Sequence, residues 1–446
     1  MGMSIRSLTA AALALLVSSV AAVPAAAHAP DAAADTVLAQ TFAGTELTVA
    51  LRHPERVPGP LRVDLIAHLP AAAVTIAVSV RPVTSDPVDA VTVSVERDTA
   101  RTYPVELTVR GTGAHWLELR APGEVSQLPF RVLVPRAGTA GWLATGAFAA
   151  TGLLLACALA GAVTGRRALA GLLGGAGATA FVVAATVALL TATLPPAAPE
   201  GAALTGTAGP QGRPYAQARI RTEPATPAVG DEFTLRVELT DGSTGRPVDD
   251  LVPHHAALAH AVVTSLDGTA FHHVHPRRVA PGRLEVRLRA ARPGPHVVTV
   301  EVERAESGGQ LVSGRFEVTG DARTVAAPPL PQPLPGVPRD VVAGAPVRVE
   351  IDTGPGRIQP WLGMAGHLIV RDDAGAFLGH AHELASMNAD AAGFAPPDDT
   401  VAAYGPTLRF AFTFPAPGRY LVWLQYVRDL RLVTVPYAVN VRAEPA

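Results

Sequence analysis

Residues 253–276 read PHHAALAHAVVTSLDGTAFHHVHP, and residues 360–382 read PWLGMAGHLIVRDDAGAFLGHAH. Pro253 is followed by His260, His273 and His275, and Pro360 by His367, His380 and His382. The offsets agree: seven residues from the proline to the first histidine, then 13 and 15 to the other two. The chain holds only 14 histidines, so two triads of one spacing mark an internal repeat whose recurring element is histidine.

In the first copy Asp267-Gly268 is a hairpin signal between two apolar segments. A turn there sets His260 opposite His275, with His273 two residues along on the same face. A turn at Ala374-Gly375 likewise sets His367 opposite His382, with His380 on that face. Opposed residues have Cβ atoms about 4.5–5.5 Å apart and diagonal ones about 7–8 Å, close enough for three imidazoles to converge on one ion. The candidate metal ligands are therefore His260, His273 and His275 in one copy and His367, His380 and His382 in the other. Met364, three residues before His367, is a possible additional ligand, since a thioether beside imidazoles suits copper. Imidazole donors fit copper or zinc, and copper is favoured. A second reading stays open, in which the histidines pack and hydrogen-bond as polar aromatics and Met364 and Met387 fill gaps. His254, His255 and His272 occur in the first copy alone, and His272 is expected on the opposite face from His273.

The 446 residues are 48% hydrophobic and 17% charged with net charge −2, a length for two to four domains. No basic run is present, so nucleic acid is not an expected partner. The single cysteine, Cys157, excludes intramolecular disulfides and thiolate clusters.

Residues 1–27 read as a signal peptide, with Arg6, an apolar run and Ala25-Ala26-Ala27 at the cleavage site. Cleavage there leaves His28 as the mature N-terminus, either a frayed end or an amine–imidazole chelate for copper. Residues 28–137 carry LTVALRH, LRVDLIAHL, VTIAVSVRPV, VTVSVER, YPVELTVRG, HWLELRAP and LPFRVLVP, alternating segments separated by turns that imply a β-sandwich. Its histidines, His53, His68 and His115, show no triad spacing and read as ordinary packing or surface residues. Residues 142–163 and 169–194 are uncharged and apolar, each long enough to span a hydrocarbon core of about 30 Å. Arg166 and Arg167, in the intervening loop 164–168, orient it to the cytoplasm and leave both flanks outside. Gly171 and Gly175 offer a small-residue stripe for helix packing or dimerisation. With no ionisable group inside either span, the hairpin reads as an anchor. A linker, 195–217, leads to the first histidine domain, 218–320; a proline-rich linker, 321–340, leads to the second, 341–446. The fold class is thus mainly β: three immunoglobulin-like sandwiches with a two-helix transmembrane hairpin between the first and the second.

The segments LVPHH…H and FHHVHP in one copy, GMAGHLIV…FLGHAH in the other, and PGRYLVWLQY and VTVPYAVNV near the end resemble bacterial exported β-sandwich domains of the YtkA-like and FixH-like group. The resemblance spans residues 218–442. It implies an immunoglobulin-like fold and an envelope location, with no settled activity. The second copy departs from it in having Glu383 where the first has Pro276 after its last histidine. The expected role is metal sensing, buffering or delivery outside the cell membrane, with an envelope protein as a further partner; the competing role is a structural or interaction ectodomain. Catalysis is not expected: Asp267 and Asp373 stand at the turns, Glu383 occurs in one copy, and no G-x-S-x-G or H-E-x-x-H is present.

Overall fold

The computed structural model describes residues 36–68, 70–83, 89–134, 139–191, 199–202, 215–305, 307–321, 341–376, 378–391 and 401–444. The signal segment, His28 and most of both linkers lie outside the described residues. The chain forms two compact units, one around 133–202 and one of the β-rich segments 34–132 and 203–446.

In the first unit, α1 (Thr139–Val163) and α2 (Arg167–Thr191) pair as a hairpin. Both are long and apolar enough to cross a membrane, and large side chains such as Leu153, Leu159 and Leu172 are exposed along them. The connection is shorter than the sequence implies, because helix resumes at Arg167. Arg166 N–H donates to Gly161 O at 2.9 Å and Gly165 N–H to Ala162 O at 3.1 Å, which caps the last turn of α1. The small residues at the helix–helix contact also differ from those expected. Gly161 lies against Ala170 and Gly177 against Leu155, whereas Gly171 and Gly175 face open space.

In the second unit all seven sequence-read segments of the N-terminal region are strands: β2 (Thr45–Arg52), β3 (Gly59–His68), β4 (Val74–Pro82), β5 (Asp89–Val95), β6 (Arg101–Val109), β7 (Gly113–Ala121) and β8 (Glu124–Val132). An additional strand, β1 (Thr36–Phe42), precedes them. The sheets β1-β2-β3-β6 and β5-β4-β7-β8 close on a core that includes Leu38, Val49, Leu65, Val78, Leu117 and Val132. Period-two alternation puts these on the inner faces, as in the strictly alternating burial of β6 and β8.

The first C-terminal sandwich contains β9 (Ala216–Glu223), β10 (Glu232–Asp241), β11 (Leu251–Val252), β12 (Ala259–Ser265), β13 (Phe271–Val274), β14 (Arg277–Ala280), β15 (Arg283–Arg289), β16 (Gly294–Arg304) and β17 (Gly308–Val318). The second contains β18 (Val341–Val342), β19 (Pro346–Asp352), β20 (His367–Asp372), β21 (Leu378–His382), β22 (Thr407–Thr413), β23 (Gly418–Arg428) and β24 (Arg431–Arg442). One sheet of each has the same neighbours: β17-β16-β12-β13 in the first and β24-β23-β20-β21 in the second. The insertion after His382 begins as a short helix, α3 (Leu384–Ala391). Glu383 caps it, accepting from Ser386 N–H at 3.0 Å and Ser386 O–H at 2.9 Å.

The inner strands β12, β20 and β23 are buried on both faces. Along β12, Ala259, Ala261 and Val263 enter their own sandwich core, while Val262 enters a separate cluster with Ile369, Leu421 and Trp423 of the second sandwich. Along β20, Leu368 and Val370 face inward and Ile369 outward. Phe271 stacks on Trp423 with centroids 4.6 Å apart. Arg371, 2% exposed, donates to Thr264 Oγ1 at 2.6 Å, Ser265 O at 2.9 Å and Leu266 O at 2.8 Å. Each hairpin tip presses on the other sandwich: a Cβ on Gly268 (φ +74°) would run into Leu421, and one on Gly375 (φ +68°) would meet Val297 at 2.7 Å. Both tips need glycine for the positive φ and for this approach.

Candidate metal centre

The hairpin registers match the sequence reading. Ala261 pairs with Val274 and Val262 with His273, so continuing that ladder sets His260 opposite His275; His367 pairs with His382 directly. In both hairpins the histidines occupy the face turned away from their own core. There the second sandwich meets the first, so the expected half-buried face is closed. His260, His273, His275 and His367 are at most 5% exposed.

The two triads consequently form one cluster. His380 of the second sandwich lies 5.3 Å from His260 and 5.2 Å from His273 of the first, ring centre to ring centre. Within the hairpins, His260–His275 is 4.9 Å and His367–His382 5.0 Å. The ligand atoms that come within 4.8 Å of one another are grouped as His260, His273 and His380, and as His367, His380 and His382. The first group crosses between the sandwiches, and His380 belongs to both. His275 completes the cluster 5.0 Å from His273. Metal–nitrogen bonds of about 2.0–2.1 Å require small inward ring movements from these separations.

Four rings are held by one nitrogen and bare at the other. His260 Nε2 meets His254 O at 2.9 Å, His273 Nδ1 meets Gln425 Oε1 at 2.7 Å, His380 Nδ1 meets Glu301 Oε2 at 3.0 Å, and His275 Nδ1 meets Glu46 Oε1. Each partner is an oxygen acceptor, so the bonded nitrogen carries the ring proton. The remaining nitrogens, His260 Nδ1 and Nε2 of His273, His275 and His380, are buried without a hydrogen-bond partner. His367 leaves both nitrogens bare. An unsatisfied buried polar atom costs about 1–3 kcal/mol, so this is an expensive arrangement for packing alone. Metal-binding histidines characteristically give their other N–H to a carboxylate or carbonyl.

The outside contacts are reciprocal. Gln425 is the ladder partner of His367 yet binds His273, and Glu301 is the ladder partner of His260 yet binds His380. Burial, reinforced by neighbouring rings, holds His260, His273 and His367 well below the ordinary histidine pKa and lowers His382 to about 2. Their lone pairs are therefore free of protons at neutral pH.

Sequence reasoning missed several contributors. His254 and His255 line one edge of the cluster, with His255 3.9 Å from His382. The hydrogen bond to Glu301 outweighs burial and raises the pKa of His254, which also meets Glu303 at 2.8 Å. Burial pushes the Glu301 carboxyl up, but its bonds to His254 and His380 outweigh this and hold it low. Trp361 packs 5.0 Å from His367 and 5.5 Å from His273. It occupies the place of His254 in the second copy: Trp361 and Met364 exchange backbone hydrogen bonds as His254 and Ala257 do, around positive-φ residues. Met364 is buried in that loop.

The N-terminal sandwich, which carried no site by sequence, also reaches the cluster. Thr41 N–H donates to His275 O at 2.8 Å, Thr41 Oγ1 accepts from His275 N–H at 3.0 Å, and Ala39 N–H donates to Ala256 O at 2.6 Å. Arg277 and Arg278, just after the first hairpin, fasten it there through Glu124 at 3.3 Å and over Trp116 at 4.3 Å. Of the expected packing or surface histidines, His115 stands 5.8 Å from Phe130, His53 bonds Thr36 Oγ1 at 3.0 Å, and the buried His68 bonds Thr48 Oγ1 at 3.0 Å.

A family described as a domain of unknown function, DUF8832, matches this chain twice, at residues 216–327 and 339–443. That description carries no activity and neither of the names YtkA and FixH. Two solved structures are similar at a low level. Invasin, titled a bacterial integrin-binding protein, is 10% identical over 88% of this chain and 59% of its own, with a TM-score of 0.16. Red sea bream transglutaminase is 12% identical over 62% of this chain and 31% of its own, with a TM-score of 0.16. The chain thus spans under two thirds of either. No curated protein matches it.

Proposed function

We propose that this chain is a membrane-anchored, extracytoplasmic protein that binds a transition metal in one composite histidine centre, for sensing, buffering or delivery of that metal. The observation that carries the reading is that His260, His273, His275 and His380 each have one nitrogen tied to an oxygen acceptor and the other buried and bare, with donor atoms of His260, His273 and His380 within 4.8 Å of one another. Copper ranks ahead of zinc because an all-imidazole set without geometric selection binds Cu(II) tightest. The carboxylates of Glu46 and Glu301 behind the rings favour a divalent over a univalent cation. The resemblance to exported YtkA-like and FixH-like domains fits this reading, as do the apolar hairpin and Arg166 and Arg167 at its turn, which favour sandwiches outside the membrane. Binding rather than catalysis is the proposed role; Glu383, the carboxylate next to the second triad, serves as the cap of α3.

The test uses the full chain in detergent, because Glu46 lies in the N-terminal sandwich. Metal-free protein is titrated with Cu(II), Cu(I) and Zn(II) beside a variant with His260, His273 and His380 changed to alanine. One tight equivalent of Cu(II), lost in the variant, is the expected result. Equally weak binding by both proteins would make the histidines structural and turn the search to an envelope protein partner.

A further inference from the structure

The cluster is graded from a rim to a floor. At the rim, His254, Glu301 and Glu303 have side chains 28%, 21% and 29% exposed, and His255, His380 and His382 are partly buried. Rings follow one another inward: His255 to His382 at 3.9 Å, His382 to His380 at 4.6 Å, and His380 to His260 and His273 at 5.3 and 5.2 Å. The far side is closed. Trp361, 1% exposed, stands 5.0 Å from His367, 5.5 Å from His273 and 5.6 Å from His275, and packs with Ala39, Leu362 and Val427. Two carboxylates at the rim concentrate cations there.

We infer that the cluster offers a divalent transition-metal ion two alternative positions that share His380: an outer loading position, His367/His380/His382, entered from the rim through His382 with the fully buried His367 behind it, and an inner holding position, His260/His273/His380, with His275 beside it. The inference rests on the metal-binding reading above. His380 Nδ1 is engaged by Glu301, which leaves Nε2 alone for coordination. One lone pair serves one ion, so the two positions are filled in turn. In the transfer the bonds from His367 and His382 to the ion break as those from His260 and His273 form, while the His380 bond persists. The ion keeps its charge, and no electron or ring proton moves. The inner position is the tighter one, because every ring in it has its outer nitrogen anchored.

Stopped-flow mixing of the metal-free full chain with Cu(II), read by quenching of tryptophan fluorescence, tests this. His382→Ala is expected to slow loading roughly tenfold while the equilibrium Kd stays within about threefold, because entry and exit slow together. His273→Ala is expected to load at the wild-type rate and release about 100-fold faster. His382→Gln, which keeps size and polarity, guards against a folding defect and should also load slowly. The inference is overturned if His382→Ala loads at the wild-type rate, or if it weakens affinity as much as His273→Ala does. It also falls if wild type holds two Cu(II) equivalents tightly at once. Absence of any tight Cu(II) binding to wild type at equilibrium would instead defeat the metal-binding reading itself.

Discussion

The two histidine hairpins share spacing and register, yet their surroundings divide them. In the first, His260, His273 and His275 are each tied by an outside oxygen, from the His254 carbonyl, from Gln425 of the second sandwich and from Glu46 of the N-terminal sandwich. In the second, His380 is tied to Glu301, whereas His367 has neither nitrogen bonded and Nε2 of His382 is bare. The first hairpin lies between two neighbouring sandwiches; the second has the first sandwich on one side and the α3 insertion following its last histidine. Identical local sequence logic thus yields one preorganised set of donors and one free to adjust. What a neighbour supplies decides which is which.

The largest expected effect comes from the residue common to both halves. His380→Ala should weaken Cu(II) binding more than any other single change, by about 100-fold or more, read by competition against a chelator. If it is milder than His382→Ala, the halves are independent and the comparison breaks. Next come the carboxylates. Glu46→Ala and Glu301→Ala should each cost about 10–100-fold in affinity, since each removes the partner that orients a ligand. Glu46→Ala acts on His275 of the first hairpin alone and Glu301→Ala on His380, which both halves share, so Glu301→Ala should cost the more.

Acid should unfold the metal-free protein. His260, His273 and His367 have folded pKa values below the unfolded value near 6.5, so their contribution is fully present above that pH. It is lost as pH falls, because the unfolded chain then takes up protons that the folded one refuses. Each such ring contributes a slope of about 1.4 kcal/mol per pH unit below 6.5. A melting temperature that is flat from pH 7 to about 5 would contradict the burial of these rings. The joint between the sandwiches is tested by the tips. Gly268→Ala and Gly375→Ala should each destabilise by about 1–3 kcal/mol in denaturant unfolding, because a Cβ at either positive-φ tip runs into a side chain of the other sandwich. The smallest effect is Ser386→Ala, about 1 kcal/mol, which removes the hydroxyl's bond to Glu383 and the one it accepts from Ala365 N–H while leaving the first hairpin untouched.

Much of this was legible locally. Turn chemistry at Asp267-Gly268 and Ala374-Gly375, with period-two alternation, placed the right histidines on one face of each hairpin. All seven strands read in the N-terminal sandwich are present. The strand that was missed, β1, carries the Thr41 contact to the cluster, and its sequence TVLAQTF is too short and mixed to announce itself. Trp361 and His254 went unassigned because their role comes from a tight loop whose shape depends on positive-φ residues, not on strand periodicity. The glycine pair in α2 does not mark the contact with α1, for a related reason: two well-spaced glycines say nothing about which face meets the other helix.

The sequence by itself determined the apolar helical pair, the sandwiches, and which histidines share a sheet face, because turns and side-chain alternation are properties of neighbouring residues. Only the tertiary structure decided that the two histidine faces meet, that His380 joins His260 and His273, and that Glu46 reaches His275 from 229 residues away. Alternation tells a strand which side chains leave its own core. What covers that outer face is set by packing between domains, where complementary surfaces distant in the chain find each other.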